Sequence, residues 1–286
     1  MALRTHISER QRRFGAELRR LREGAGLAVK DAGALVGMGG PQLSHIEAGR
    51  TGLDPDRLTI LLEAFGLTDE TYVSALHQMG LSNGKGWWSA FKGVVNQPAL
   101  DLAESESTAT LLSNYETLLI PGLLQVPSYS EVILSSDQKK VAFRQGRQRA
   151  LEGTGAVPFH AVIHEAALRT RFGGRDAMRD QLDHLVEVSE LPHVTIQVLP
   201  FRCTDYVSTG TPFMILHGPH RDLDTVLTEH PSGTSYLSEP ADITAYHSKF
   251  ERLTSLALPA LDASRPLRSR VEPDSWGLVQ HLRYTL

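Results

Sequence analysis

Apolar residues recur at helical spacing through the first eighty positions, then give way to short runs of β-branched and aromatic residues. Phe14, Leu18 and Leu21 fall at i, i+4 and i+7, which predicts an amphipathic helix over residues 9–23 ended by Gly24 and Gly26. A short helix is expected over 29–36, with Ala32, Leu35 and Val36 inward and Gly37 as its stop. Pro41 suits a first helical turn, where the N–H it lacks would have no partner, and Leu43 and Ile46 share a face. That predicts a third helix over 41–48, closed by Gly49. A fourth has Asp54 as N-cap, Pro55 at its first position, and Leu58, Leu61, Leu62 and Phe65 on its core side. A fifth follows a cap at Thr68 or Asp69. Five short helices joined by brief loops predict an all-α head.

The stretch GLSNGKG, residues 80–86, reads as a flexible joint. The expected organisation is therefore a helical domain over 1–79, a linker over 80–86 and a larger domain over 87–286. Helices are expected there around 98–118, 127–135 and 137–151. VPFHAVIH, VTIQVLP, TPFMILH and TVLTE are short and rich in Val, Ile, Phe and Thr, as strands are. Between them, Met178, Leu182, Leu185 and Val186 define one helical face. Ile243, Tyr246, Phe250 and Leu253 define another, over 239–257. The larger domain is thus of mixed α/β (α+β) class. The tail from Arg265 onward carries no assignable pattern.

Composition narrows the class. With 41% hydrophobic and 22% charged residues the chain is globular rather than disordered. Its most apolar stretch, LLSNYETLLIPGLL, is interrupted by Asn114, Glu116 and Pro121 and falls short of the roughly 20 apolar residues that cross a bilayer. The charged amino-terminal stretch lacks the apolar region of a secretory signal, so a cytoplasmic protein with no membrane role is expected. The lone Cys203 can form neither an internal disulfide nor a thiolate cluster. Net charge is −4, which argues against coating nucleic acid by bulk attraction. Residues 1–24 nevertheless hold seven arginines (4, 10, 12, 13, 19, 20 and 22) against three glutamates. They are either a confined footprint for phosphates or a solvated helix face.

Two helices joined by a tight, glycine-entered turn are the helix-turn-helix arrangement that lays its second helix in the major groove. Residues 29–36 would be the first helix, 37–39 the turn and 41–48 the recognition helix. LRRLREGAGL, DAGALVG and QLSHIEAGR, in this order and spacing, resemble the Cro/C1-type (XRE-like) repressor head over about residues 10–67. The resemblance implies that Gly40, Pro41, Gln42, Ser44 and His45 face the groove. Gln42 can pair bidentately with adenine, His45 can read a base, and Ser44 can meet a base or phosphate. Val29 stands where that family commonly has a phosphate-bracing Gln, which shifts backbone contacts to Lys30, Arg50, the helix amino ends and an amino-terminal Arg. By position, Arg22 and Glu47 match a buried ion pair that clips the first helix to the recognition helix. One head binds weakly, so the expected partner is double-stranded DNA with a pseudo-palindromic operator, bound by a homodimer.

GWW (86–88), YETLLIPGLLQVPSYS (115–130), HEAALR (164–169), QLDHL and LPHVTIQVLPF (191–201) resemble the large carboxy-terminal domain, of unknown function, found in many actinobacterial helix-turn-helix regulators. The resemblance implies a domain that responds to a small-molecule effector or a small regulatory protein. Val126 stands where a Thr is usual, and Cys203–Val207 depart from a usual His-bearing segment. Pro121, Gly122, Leu123, Leu124 and Gln125 form an apolar turn that either packs into the core or docks a partner. Trp87 and Trp88 either anchor the head or line a pocket, and Arg144, Arg147 and Arg149 touch phosphate or form a solvated face.

Chemistry is sparse by comparison. HEAAL begins like a zinc-protease word but has Leu168 where a second His must stand, and His160 lies in a strand-like run. There is no nucleophile elbow and no phosphate loop. The expected protein is a regulator rather than an enzyme, with no catalytic residue, metal or cofactor. The rival is a protein-interaction module, antitoxin-like or sequestering, with weak DNA binding, kept open by Val29, Gly40 and Pro41.

Overall fold

The computed structural model describes residues 4, 6–82, 84–203, 205, 210–230, 233–264 and 273–286. The chain divides into two compact units, residues 1–89 with 97–105, and residues 90–96 with 106–286.

The first unit holds α1 (Glu9–Gly24), α2 (Val29–Leu35), α3 (Gly40–Glu47), α4 (Pro55–Ala64), α5 (Glu70–Leu81) and the first nine residues of α6 (Gln97–Thr108). Local chemistry sets the helix starts. Ser8 and Gln11 form a reciprocal capping box at α1, and Asp54 accepts from the backbone N–H groups of Asp56 and Arg57 ahead of Pro55 at α4. Asp69, rather than Thr68, caps α5. Phe14, Leu18, Leu43, Ile46, Leu58, Leu61, Leu62 and Leu76 form the core. Of the residues expected inward over 29–36, Ala32 and Val36 are buried, with Gly33 beside them, while Leu35 is exposed. α5 continues through Leu81 into the stretch read as a joint. The start of α6, assigned by sequence to the larger domain, groups with these helices.

The second unit runs β1 (Leu111–Glu116), α7 (Pro127–Ile133), α8 (Gln138–Arg147), β2 (Phe159–His164), α9 (Glu165–Arg169), α10 (Gly174–Val188), β3 (Val194–Leu199), β4 (Phe213–His217), β5 (Thr225–His230), β6 (Gly233–Leu237), α11 (Pro240–Leu256) and α12 (Ser275–Thr285). One mixed sheet has the order β3-β2-β1-β4-β5-β6, with β1, β2 and β3 parallel and β4, β5 and β6 joined antiparallel. Tyr115, Val162, Phe213, Ile215 and Val226 bury one sheet face against Ile243, Phe250 and Leu253 of α11.

The fold class is all-α helix-turn-helix plus mixed α/β, and one expected long helix is in part a strand. The helix expected over 98–118 ends at Thr108, and residues 111–116 are the central strand instead. Leu112, Ser113, Asn114 and Tyr115 are buried in succession, so no polar alternation betrays the strand. The polar pair survives burial because Ser113 meets His217, and Asn114 donates to the Phe213 carbonyl at 3.0 Å. No sequence pattern announced α9, β6 or α12. α12 begins where the Asp274 carboxylate accepts from Gly277 N–H at 2.7 Å, while part of the unassigned tail, residues 265–272, lies outside the described residues.

Candidate nucleic-acid interface

α2, the turn and α3 form a compact corner. Gly37 takes φ of 65°, a left-handed value that glycine adopts without a Cβ penalty, and Met38 N–H donates back to the Gly33 carbonyl at 2.8 Å. Leu43 and Ile46 each keep 1% of their surface exposed, while Pro41, Gln42 and Ser44 on the other side of α3 are exposed and His45 is half-buried. The outward face of α3 therefore presents Gln42 and Ser44 as hydrogen-bonding side chains, with His45 at its margin. Gly40, read as groove-facing, is instead buried, because a Cβ there would lie 3.4 Å from Lys30 Cα. It is a contact point between helices, and it sets exposed Lys30 beside the first turn of α3. At the other end exposed Arg50 donates its N–H to the His45 carbonyl at 2.8 Å, which places a second cation directly after α3. Val29, the first residue of α2 and next to Lys30, is half-buried.

Arg22 and Glu47 meet through two bonds, Nε to Oε1 at 2.6 Å and Nη2 to Oε2 at 3.1 Å, with side chains 9% and 7% exposed. Arg22 also donates to the Leu27 carbonyl at 2.7 Å. Its guanidinium pKa is raised, first by the hydrogen bond to Glu47. α1 approaches the end of α3 closely enough that any Cβ on Gly15 would lie 2.7 Å from the Ile46 carbonyl oxygen.

The amino-terminal arginines do not make the open basic footprint that their number implies. Arg10 pairs with Glu104 at 2.6 Å, Arg12 with Glu9 and Asp101, Arg13 and Arg20 with Glu17, and Arg19 with Glu23. Arg4 donates to the Gly49 carbonyl at 2.8 Å. Two of the neutralising carboxylates come from α6, nearly a hundred residues away, and no local charge count includes them. Glu17 is the centre of a network absent from the sequence reading. Burial pushes its carboxyl up, but bonds from Arg20, Arg13 and the Tyr72 hydroxyl outweigh burial and hold it below the ordinary range. Alternating Glu and Arg on one helix was the only sequence sign of it.

The residues read as a possible partner surface, Trp87 and Trp88 in the first unit and Pro121–Gln125 in the second, are largely interior. Pro121, Leu123, Leu124 and Gln125 are buried, Gly122 is half-buried, Trp88 is 8% exposed and Trp87 half-buried against it, edge to face. Gln125 is a structural hub. It donates to the Ile120 carbonyl at 2.8 Å and accepts from Arg144 at 2.7 Å, while Gln145 and Gln148 bind its carbonyl. Arg147 is no phosphate contact, because Glu106 holds it through bonds of 2.9 and 2.6 Å in a buried position. His164 caps α9 and His160 bonds Gln197, so the HEAALR stretch brings no two metal ligands together. Of the segment Cys203–Val207, residues 204, 206 and 207 lie outside the described residues. A cleft of about 710 Å³, bordered by Glu165, Arg169, Phe201, Trp276 and Leu278, is of a size that takes small ligands.

Near the hub, burial and then the charge of Glu229 push the Glu116 carboxyl up to about 8. A carboxyl raised in the folded state loses stability on ionising. The stabilisation is complete below the ordinary carboxylate range and is lost as pH rises through about 8. The urea midpoint of this unit is expected to fall as pH rises from about 4.5 to about 8 and to level off above that, and Glu116→Gln is expected to flatten that fall. Equal slopes in both proteins would refute the assignment.

A helix-turn-helix domain model matches residues 13–73, in agreement with the corner formed by α2 and α3. The protein therefore carries a helix-turn-helix DNA-binding domain of the regulator class. Residues 99–269 match the family described as Domain of unknown function (DUF5753), more than half the chain, and the protein belongs to that family. No curated protein and no solved structure matches it. Among the described residues, no helix is long and apolar enough to cross a membrane.

Proposed function

We propose that the protein is a sequence-specific transcriptional regulator of the Cro/C1 type from an actinobacterium. In this reading it acts in the cytoplasm and binds a pseudo-palindromic operator as a homodimer. Residues 1–79 are the DNA-reading part, 80–86 the linker, and 87–286 the part that responds to an effector or a small protein. The observation that carries the reading is the sidedness of α3. Leu43 and Ile46 lock the helix to the core, so exposed Gln42 and Ser44, with His45, are held outward at fixed spacing between Lys30 and Arg50. Gln42 reads adenine through its amide, His45 contributes a ring nitrogen, and Lys30 and Arg50 position the phosphate backbone. An effector in the cleft beside Trp276 would change DNA affinity only by its differential binding to two arrangements of the dimer.

Gln42→Ala is expected to weaken binding to the operator upstream of its own gene by about 10- to 100-fold and to relax discrimination against a scrambled duplex, in line with the roughly 1–3 kcal/mol of one bidentate base contact. Lys30→Ala is expected to weaken both duplexes alike and to reduce the salt slope by about one unit. Fluorescence anisotropy across a salt series measures both. A second reading rests on a specific observation: ion pairing of the α1 arginines leaves little free positive charge. That suits an interaction module of the antitoxin or sequestering kind, which would tolerate both substitutions.

A further inference from the structure

Three side chains far apart in sequence converge at one end of the sheet. His217 ends β4, Asp224 follows a tight turn over Arg221–Leu223, and His247 lies midway along α11. Asp224 is 2% exposed. Its Oδ2 stands 2.8 Å from His247 Nε2 and 3.5 Å from His217 Nδ1, and one ligand atom from each residue falls within 4.8 Å of the others. The two imidazoles meet edge to face, their centroids 5.2 Å apart.

Two of the three groups, His217 and Asp224, are also held from behind. Ser113 Oγ lies 2.9 Å from His217 Nε2, on the ring nitrogen turned away from Asp224. Gly218 N–H donates to Asp224 Oδ1 at 2.9 Å, which leaves Oδ2 facing the imidazoles. The turn that presents Asp224 needs glycine at 218, because a Cβ there would lie 2.9 Å from the Cβ of buried Leu223. Outer hydrogen bonds that fix ring orientation and carboxylate direction are the usual support of metal ligands.

We propose that His217, Asp224 and His247 form a three-ligand site for a divalent first-row transition metal ion, zinc(II) foremost. Two imidazoles and one carboxylate are a donor set that suits such ions. A tetrahedral ion bonded at about 2.0–2.2 Å separates its donors by about 3.3–3.5 Å, so the observed spacing closes on an ion with small side-chain rotations. Three protein ligands leave a further coordination position for water or an exogenous donor. The ion would tie β4, the following turn and α11 into one unit, and the proposal holds whether or not α3 reads DNA.

The test uses the full-length chain, stripped with chelator and then titrated with zinc(II) alone or cobalt(II) alone. Expected are one zinc retained per chain by elemental analysis after gel filtration, a raised thermal midpoint, and the visible bands of cobalt(II) in a nitrogen and oxygen site of four or five ligands. His247→Gln keeps a hydrogen-bond donor toward Asp224 but removes the ligand nitrogen, and should abolish all three signals in a metal-free variant that circular dichroism shows to be folded. Ser113→Ala should weaken zinc binding by about 10-fold. Equal zinc uptake by the wild type and His247→Gln would assign the ion to other histidines and overturn the proposal. So would a wild-type chain that takes up no stoichiometric zinc and gives only the spectrum of hydrated cobalt(II), an outcome that needs no variant to fold.

Discussion

Glu47→Ala is expected to destabilise the helical unit by about 3–5 kcal/mol, because it removes one partner of a buried, doubly bonded ion pair and leaves the Arg22 guanidinium without its counter-charge. Two contacts temper the loss. Arg22 keeps the Leu27 carbonyl at 2.7 Å and half-exposed Glu23 at 3.3 Å, which places the result toward the lower end of that range. The effect is local in origin, since the pair joins α1 to the last residue of α3. Hydrogen exchange of the α3 amides should therefore quicken more than that of the α4 amides. Chemical denaturation measures the total, and an unchanged midpoint would show that the pair contributes nothing net. Glu47→Gln should lose less than the alanine variant, because an amide oxygen can still accept one guanidinium bond.

Glu106→Ala should cost the larger unit a similar amount, about 3–5 kcal/mol, by the same logic in a drier setting. Glu106 is 1% exposed and Arg147 8%, and Gly122 packs so near the guanidinium that a Cβ would lie 3.2 Å from Nη1. Water has little room to replace the carboxylate. The double variant Glu106→Leu with Arg147→Met is expected to be more stable than Glu106→Ala, since removing both charges also removes the desolvation cost that the single change leaves behind. A double variant no better than the single one would locate the contribution of Arg147 in packing of its stem rather than in charge.

The extent to which the sequence disclosed this molecule follows from the range of the forces involved. Asp54–Pro55 announced α4 because caps and proline act within one helical turn. The glycine-entered corner before α3 was legible for the same reason. Residues 111–116 were not, because a strand buried on both faces, with Ser113 and Asn114 interior beside Leu112 and Tyr115, shows no apolar and polar alternation. Pro121–Gln125 could be read from sequence either as core or as a docking turn, and the hydrogen bonds of Gln125 to α8 with the burial of Leu124 are what favour the first. The arginines of α1 were countable, but not their pairing with Asp101 and Glu104.

By itself the sequence determined the helical corner, the core side of α3 at Leu43 and Ile46 and the mixed character of the larger unit, since periodicity, caps and turn residues are properties of neighbouring positions. Only the tertiary structure decided which charges are neutralised, that Gly40 is a packing contact, and that His217, Asp224 and His247 converge. Those outcomes depend on distances between residues up to about a hundred positions apart, which burial of the shared core sets and no local pattern encodes.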